Sequence, residues 1–253
     1  LCRCDLRERH WRFGGAGAIG ATAAFGLAQG ILAFRGKKMT TFTAHIEKVF
    51  NKLAAARPTA IDPLIAMRKI LSRMNGDVKD QQKIALKAAW EFSTKDVAEC
   101  RAIGRHGAKL LRSGMNILTH CNAGALAFVD VGTATAPFYT TKKRINVYCT
   151  ETRPRCQGAA LTAWELAQHG VPHFVIADTA AGHLMQTGEI DLVIVGSDRT
   201  LGRTGEVANK IGTYTKAVLA ARHKIPFYVA IPLSTIDWNL RSGMEIPIEE
   251  RDE

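Results

Sequence analysis

A cysteine and an aspartate, 77 residues apart, are the side chains whose surroundings best predict shared chemistry. Cys121 follows the apolar run 115–119, and Asp198 follows the run 191–195. Both runs are short, largely apolar and bounded by turn-forming residues, which indicates buried parallel strands. Ligands of open α/β sheets bind just beyond the carboxyl ends of such strands. The sequence therefore predicts that a thiol and a carboxylate share one active site.

The second half of the sequence alternates strand-like and helix-like segments. The strand-like runs are 115–119, 145–149, 173–177, 190–196 and 226–232. This alternation predicts an α/β fold with a parallel, Rossmann-like sheet and right-handed crossovers. One helical pattern spans 206–223, with Asn209 and Lys210 in its first turn, where amides and an ammonium group can hold a phosphate. The apolar residues that share one face of this pattern are Val207, Ile211, Tyr214 and Val218.

The first part of the sequence has a different pattern and predicts a mostly helical domain. Helical spacing of apolar residues begins at Phe42 and again after Asp62, and a longer helical pattern runs from about 82 to 111. We therefore predict a helical N-terminal domain, residues 1–112, followed by a Rossmann-like catalytic domain, residues 113–253.

The uncharged stretch 13–34 has the length of a membrane span or signal peptide, but its composition favours a different interpretation. Glycine and alanine dominate it, and Thr22 and Gln29 lie inside it, which predicts a loop that enters a buried helix. The stretch also contains the pattern G-x-G-x-x-G at 15–20. No strand precedes the pattern and no acidic residue follows at the ribose-binding distance, so a dinucleotide site is not expected. Its backbone amides can still hold a phosphate at a helix N-terminus.

Composition narrows the class of ligand. The net charge of +11 favours anions, but basic residues are scattered among acidic ones and the longest basic run is only 142–144. Aromatic residues make up 7% and do not alternate with that run, so an anionic small molecule is expected and nucleic acid is not. The six cysteines lack disulfide-framework or zinc spacing, which predicts reduced thiols in a cytoplasmic protein without a metal or cofactor.

Several candidate residues also have purely structural interpretations. A cysteine at the end of a buried strand is often a small core residue, as expected here for Cys100 and Cys149. Asp198 could cap the turn that follows it, and Gln157 could be a polar residue at a helix start. His120 precedes Cys121 in sequence, so the two side chains should point to opposite faces of the sheet and a cysteine–histidine dyad is not expected.

Taken together, these residues resemble the methylthioribose-1-phosphate isomerase family of aldose-1-phosphate isomerases, which is related to regulatory subunits of translation initiation factor 2B. The matching strings are Thr119–Gly124, Glu151–Pro154, Gln157-Gly158, Leu161–Leu166, Gly182–Met185, Asn209–Thr213 and Leu233–Asp237. The resemblance runs from about residue 14 to 253. It implies isomerisation of an aldose 1-phosphate to the ketose 1-phosphate in methionine salvage. It favours 5-methylthioribose 1-phosphate, and the string Val129–Pro137 adds 5-deoxyribose 1-phosphate.

The same resemblance implies that Cys121 and Asp198 are the catalytic pair. A phosphate on the anomeric carbon locks the sugar in its ring, so isomerisation needs a proton at the ring oxygen and proton movement between C1 and C2. We expect Asp198, kept partly protonated by an apolar pocket, to act at the ring oxygen. Cys121 would act at C2 as a thiolate if cations or a helix N-terminus lower its pKa. The residues implied in substrate binding are Gly15, Ala16, Arg57, Gln157, Asn209 and Lys210.

The chain departs from the family pattern in ways that keep two other functions open. Gly14 replaces an arginine and Gly17 replaces a proline, which predicts weaker phosphate binding. Relatives also extend beyond both ends of the resemblance, which predicts a divergent or incomplete form. The alternatives are a non-catalytic regulatory subunit of a translation initiation factor 2B type complex and an inactive relative. Cys121 and Asp198 favour the enzyme, for which the resemblance implies a homodimer without membrane or nucleic-acid partners.

Overall fold

The described residues of the first part of the chain form four helices, as the helical patterns predict. The computed structural model describes residues 15–56 and 59–248. Within these ranges the helices are α1 (Ala16–Ala33), α2 (Met39–Ala54), α3 (Asp62–Leu71) and α4 (Val78–Gly107). Their apolar faces form one core in which Leu27, Phe42 and Met67 are fully buried. α4 begins at an N-cap, because the Asp77 carboxylate accepts a hydrogen bond of 2.9 Å from Asp80 N.

α1 contains most of the uncharged stretch 13–34, and it is a buried helix, as its glycine and alanine content predicts. Ala24, Leu27 and Ile31 have no exposed surface. Gly30 allows α2 to approach closely, because a Cβ atom at this position would lie 2.7 Å from Val49 Cγ1. None of the helices in the described ranges combines the length and the apolar character that a membrane crossing requires.

A five-stranded parallel sheet lies at the centre of the second part of the chain, and the predicted fold class is confirmed. The strands in chain order are β1 (Asn116–Thr119), β2 (Asn146–Thr150), β3 (His173–Ile176), β4 (Leu192–Val195), β5 (Arg199–Leu201), β6 (Val207–Ala208), β7 (Phe227–Val229) and β8 (Ile236–Asp237). The large sheet has the order β3-β2-β1-β4-β7, and all neighbouring strands are parallel. The direction of winding reverses between β1 and β4, so the loops after these strands flank one crevice.

Apolar side chains cover both faces of this sheet, because side chains alternate along each strand. Ile117 and Leu118 are neighbours on β1, are both fully buried, and belong to two different cores. The helices after the strands are α5 (Ala136–Thr140), α6 (Ala163–Gln168), α7 (Ala180–Gln186) and α8 (Thr213–Arg222). α5 and α6 contribute Phe138 and Leu166 to the core on the Ile117 side. α7 contributes Met185 to the core on the Leu118 side, where α8 also packs.

A small second sheet replaces the first part of the helix predicted at 206–223. β5 pairs antiparallel with β6 and parallel with β8. α8 begins only at Thr213, after Gly212, whose φ of +98° is a left-handed conformation that suits glycine. The helical prediction for 206–212 is therefore wrong, because pairing of Arg199 with Ala208 overrides the local periodicity.

Asn209 and Lys210 consequently lie in the loop before α8 and not in its first turn. The apolar face assigned to the predicted helix does not meet a core either. Ile211 and Tyr214 are 78% and 82% exposed, and Val218 is 48% exposed. The periodicity predicted a wrong apolar face because part of the pattern, residues 206–212, precedes α8.

Buried polar contacts join the helical part of the chain to the sheet part. Asp62, at the start of α3, is fully buried and accepts a hydrogen bond of 2.6 Å from Ser234 Oγ. Arg199, on β5, donates through Nε to Thr59 O at 3.1 Å. The division of the chain into domains at residues 112 and 113 stays a prediction.

We expect Asp62→Asn to stabilise the protein at pH 8 and to change its stability little at pH 4. Burial raises the pKa of Asp62 to about 7 against the opposing Ser234 hydrogen bond, and the charges of Asp96 and Asp198 add to the rise. Because the folded pKa exceeds the unfolded value of 3.8, the folded state binds the proton more tightly and stability falls as the pH rises from about 4 to 7. Urea unfolding should show that the free energy of unfolding of Asp62→Asn exceeds that of the wild type by about 1–3 kcal/mol at pH 8, with little difference at pH 4. Equal effects at both pH values would contradict this account.

Candidate active site

The crevice between β1 and β4 contains a cavity of about 450 Å³. The predicted site residues that line it are Gly15, Cys121, Gln157, Asp198, Asn209 and Lys210. Ala16 is the first residue of α1, directly after Gly15. Arg57 lies outside the described residues. The fold thus brings together side chains and backbone from the start of α1 and from the loops after β1, β2, β4 and β6.

The backbone at Cys121 is held in a left-handed conformation beyond the end of β1. Its φ is +66°, which costs free energy for a residue with a Cβ atom. Cys121 N donates to Thr152 Oγ1 at 2.9 Å, and Cys121 O accepts from Thr162 Oγ1 at 2.6 Å. Both threonines follow β2, so the loops after β1 and β2 jointly keep Cys121 in the wall of the cavity.

The thiol of Cys121 is protonated near neutral pH. Burial raises its pKa to about 11. The positive charge of Lys210 acts in the opposite direction, and the negative charges of Asp198 and Asp178 add to the rise. A resting thiolate would require nearby cations to lower the pKa of Cys121. The pKa is raised instead, because desolvation outweighs the Lys210 charge. Cys121 can act as a base only after it has lost its proton.

Asp198 occupies the corresponding position after β4. It is half-buried, and its backbone N–H donates to Ala208 O at 3.0 Å, which ties this loop to β6. Asp198 lines the cavity, while the next side chain, Arg199, is buried against Asp237. The charge of Asp198 affects the pKa of Cys121, so the two groups interact electrostatically. The carboxylate and the thiol thus share the crevice, as their strand-end positions predict.

His120 anchors the Asn209–Lys210 loop to the end of β1. A carbonyl oxygen can only accept, so His120 Nε2 donates to Ile211 O at 2.8 Å and Nδ1 accepts from Thr150 Oγ1 at 2.6 Å. Burial lowers the pKa of His120 to about 4, and the charge of Lys216 adds to this effect. The ring is therefore neutral, and one tautomer satisfies both bonds. No local pattern in the sequence predicts this role of His120, because Ile211 lies 91 residues away.

Positive charge and backbone amides converge on the same cavity. Lys210 contributes an ammonium group, and Asn209 beside it is fixed by a 3.1 Å hydrogen bond from Nδ2 to Thr213 Oγ1. Gly15 is the N-cap of α1, and a Cβ atom there would lie 2.2 Å from Ala127, so only glycine fits. A helix N-terminus carries partial positive charge and unpaired N–H groups. The cavity therefore suits an anion such as a phosphate group.

Two polar side chains reach the cavity from the loop after β2. Gln157 Oε1 is buried and has no hydrogen-bond partner among the described residues, so a ligand hydroxyl would satisfy it. Arg155 is exposed and also lines the cavity. The place of Arg155 in the cavity wall could not be predicted from the sequence, because neighbouring residues in a loop of unknown course need not face the same way.

Comparison with known proteins places the chain in a family. The model of the initiation factor 2 subunit family matches residues 12–253. The chain belongs to this family. It is 51% identical over 251 residues to methylthioribose-1-phosphate isomerase from Methylobacterium nodulans, an alignment that covers 94% of this chain and 66% of that protein. The chain thus spans about two thirds of the length of this relative.

Two solved structures agree with the fold. The 5-methylthioribose 1-phosphate isomerase from Pyrococcus horikoshii OT3 is 40% identical with a TM-score of 0.79, covering 96% of this chain and 70% of that chain. Translation initiation factor eIF-2B, subunit delta, from A. fulgidus is 38% identical with a TM-score of 0.76, covering 96% and 72%. The resemblance to the methylthioribose-1-phosphate isomerases is confirmed. In residues 15–56 and 59–248, no cluster of histidine, cysteine and carboxylate side chains is arranged to hold a metal ion.

Proposed function

We propose that this chain forms the active site of an isomerase that converts 5-methylthioribose 1-phosphate to the corresponding ketose 1-phosphate in methionine salvage. The observation that carries the proposal is a single cavity lined by Cys121 and Asp198, a candidate acid and base, and by Lys210 and the α1 N-terminus at Gly15, which suit a phosphate. The names of relatives that are 51% and 52% identical support the same reaction.

The reaction redistributes hydrogen within the sugar. The ring oxygen takes a proton as its bond to C1 breaks, and one hydrogen moves from C2 to C1. The 2-hydroxyl loses its proton as C2 becomes the carbonyl carbon, so the atoms balance without an added oxidant or reductant. The protein must therefore supply proton donors and acceptors in fixed geometry.

We assign the ring oxygen to Asp198 and the C2 hydrogen to Cys121. Asp198 delivers a proton to the ring oxygen and then accepts the proton that the 2-hydroxyl loses. Cys121 first gives up its thiol proton to solvent; as a thiolate it then takes the C2 proton and returns it to C1. The Lys210 charge favours that loss and burial opposes it, so the position of Lys210 matters for chemistry as well as for binding.

Substrate recognition is assigned to groups around the cavity. Lys210, Asn209 and the α1 N-terminus at Gly15 and Ala16 hold the phosphate, with Arg57 added on resemblance. Gln157 binds a sugar hydroxyl. Because Gly14 stands where the family carries arginine, we expect a higher KM than for relatives that retain that arginine.

The 5-substituent is assigned to the apolar part of the wall. Ala127, Phe128 and Leu161 line the cavity, and their side chains suit a methylthio or deoxy carbon. Arg155 at the exposed rim would instead suit a second phosphate. Turnover of substrates that differ only at C5 decides whether the site accepts an apolar 5-substituent or a second phosphate.

The proposal includes a homodimer located in the cytoplasm. Both features rest on the resemblance to the methylthioribose-1-phosphate isomerases. Sedimentation equilibrium of the purified chain tests the first, and a dimer mass is expected. A monomer at all concentrations would contradict it.

The experiment offers the purified protein three substrates and follows ketose formation by NMR. They are 5-methylthioribose 1-phosphate, 5-deoxyribose 1-phosphate and ribose 1,5-bisphosphate. We expect conversion of the first, slower conversion of the second and little of the third. Conversion of none, with a folded protein, would overturn the proposal and favour a regulatory subunit or an inactive relative.

A further inference from the structure

Glu165, on α6, is a buried carboxylate that the proposed chemistry does not use. Only 3% of this residue is exposed. Oε1 accepts hydrogen bonds from Asn122 Nδ2 at 2.9 Å and Leu126 N at 3.1 Å. Oε2 accepts from Ala125 N at 2.7 Å and Tyr139 OH at 3.1 Å. Three of these four donors belong to the loop after β1.

Four donors converging on two oxygens match the acceptor capacity of a carboxylate. An amide would turn its NH2 group towards at least one of these donors, and a backbone N–H cannot accept a hydrogen bond. No cation contacts Glu165 within the described residues, so neutral hydrogen bonds alone compensate its burial. Because all four hydrogen bonds must form together, they hold the loop after β1 in one conformation.

Glycine at two positions allows this loop to approach the carboxylate. A Cβ atom at Gly124 would lie 1.9 Å from Glu165 Oε2. Gly132, with φ of +81°, bridges to Gly124, and a Cβ atom there would lie 2.4 Å from Gly124 Cα. The loop backbone is therefore packed between the carboxylate and a second glycine, where any side chain would displace it.

A chain of hydrogen bonds links Glu165 to the backbone of Cys121. Asn122 Nδ2, which donates to Glu165, lies 3.2 Å from Thr162 Oγ1 and donates to it as well. The Thr162 hydroxyl in turn donates to Cys121 O at 2.6 Å. Thr162 ends the π-helical turn Gly158–Thr162 just before α6, so one segment carries both Thr162 and Glu165.

We propose that Glu165 is a positioning residue, which fixes the loop 120–127 and thereby the place of the Cys121 thiol in the cavity. Glu165 touches no substrate in this role and acts only through the loop and Thr162. The kinetic part of the inference rests on the proposed isomerase function. The geometric part does not, because the accessibility of the thiol can be measured without turnover.

The test replaces Glu165 by glutamine, which has the same size but presents an amide to the donors. We expect the loop to shift and water to reach Cys121, so that the midpoint of its alkylation by iodoacetamide against pH falls from about 11 towards 9. Peptide mass spectrometry reports Cys121 separately from the other cysteines. We expect kcat to fall about 10–100-fold while KM changes by less than about threefold, because the misplaced group is the reacting one.

Thr162→Val serves as a second, milder variant, since it removes only the two bonds of the Thr162 hydroxyl, from Asn122 Nδ2 and to Cys121 O, and its shape is nearly unchanged. It should shift the alkylation midpoint in the same direction, and Thr162→Ser should restore it. Tyr139→Phe is the matched control, because it removes one donor to Glu165 that does not belong to the Cys121 loop. It should leave the midpoint and kcat at their wild-type values.

Wild-type midpoints and kcat in both Glu165→Gln and Thr162→Val would overturn the inference. An effect of Tyr139→Phe as large as that of Glu165→Gln would overturn it too, because loss of stability alone would then explain both. If the wild type converts none of the sugars, the proposed function fails. The alkylation midpoints of the variants still decide the positioning role in that case.

Discussion

Asp198→Asn should lower the turnover number for 5-methylthioribose 1-phosphate by about a thousandfold, because an asparagine of the same shape cannot carry the proton to the ring oxygen. General acid and base groups contribute about 100- to 10,000-fold each. Asp191→Asn is a matched control at the opposite end of β4, since Asp191 precedes the amino end of that strand and is exposed. It should keep turnover within about twofold of wild type.

Cys121→Ser should lower turnover by a similar factor, because the serine hydroxyl is a far weaker acid than the thiol and does not reach the charged state that the C2 step requires. The control is Cys156→Ser, a half-buried thiol that is absent from the cavity wall. NMR initial rates at saturating substrate measure both variants. Turnover within a few-fold of wild type for either Asp198→Asn or Cys121→Ser would contradict the assigned chemistry.

Arg199→Met should lower the free energy of unfolding by about 3–5 kcal/mol, because it leaves the Asp237 carboxylate buried without its cation. Arg199 Nη1 lies 3.2 Å from Asp237 Oδ2, and the two side chains are only 6% and 4% exposed. The same arginine donates to Thr59 O, so its loss also removes a contact between the helical and sheet parts. Urea unfolding of wild type and variant measures the difference.

A surface ion pair supplies the control for this prediction. Arg101 Nη2 lies 3.0 Å from Asp130 Oδ2, but these side chains are 62% and 51% exposed. Arg101→Met should therefore cost less than about 1 kcal/mol despite the similar distance. The double variant Arg199→Met with Asp237→Leu should recover part of the loss, since no unpaired charge remains. Similar losses for Arg101→Met and Arg199→Met would show that burial does not govern the effect.

Much of the fold follows from local sequence patterns. The runs 115–119 and 190–196 are apolar on both faces, and such segments are stable only inside a covered parallel sheet. The observed strands β1 and β4 lie within these runs. The proximity of Cys121 and Asp198 was also predictable, because the carboxyl ends of parallel strands meet at one edge.

The prediction failed where non-local pairing competed with a local pattern. Residues 206–212 have helical periodicity, but the strand pair between Arg199 and Ala208 and the left-handed Gly212 exclude a helix there. Lys210 nevertheless lines the predicted site, since its loop is tied to β1 by His120 and Ile211. No periodicity in the sequence encodes that contact.

The sequence by itself determined the family, the α/β fold and the two strand ends that carry Cys121 and Asp198, because residue types and short-range spacing specify these features. The tertiary structure alone decided the protonation state of Cys121 and the role of Glu165. The pKa of the thiol depends on burial and on charges such as Lys210, and the Glu165 carboxylate is satisfied by donors 26 to 43 residues away. Desolvation and such long-range hydrogen bonds arise only when the chain is folded.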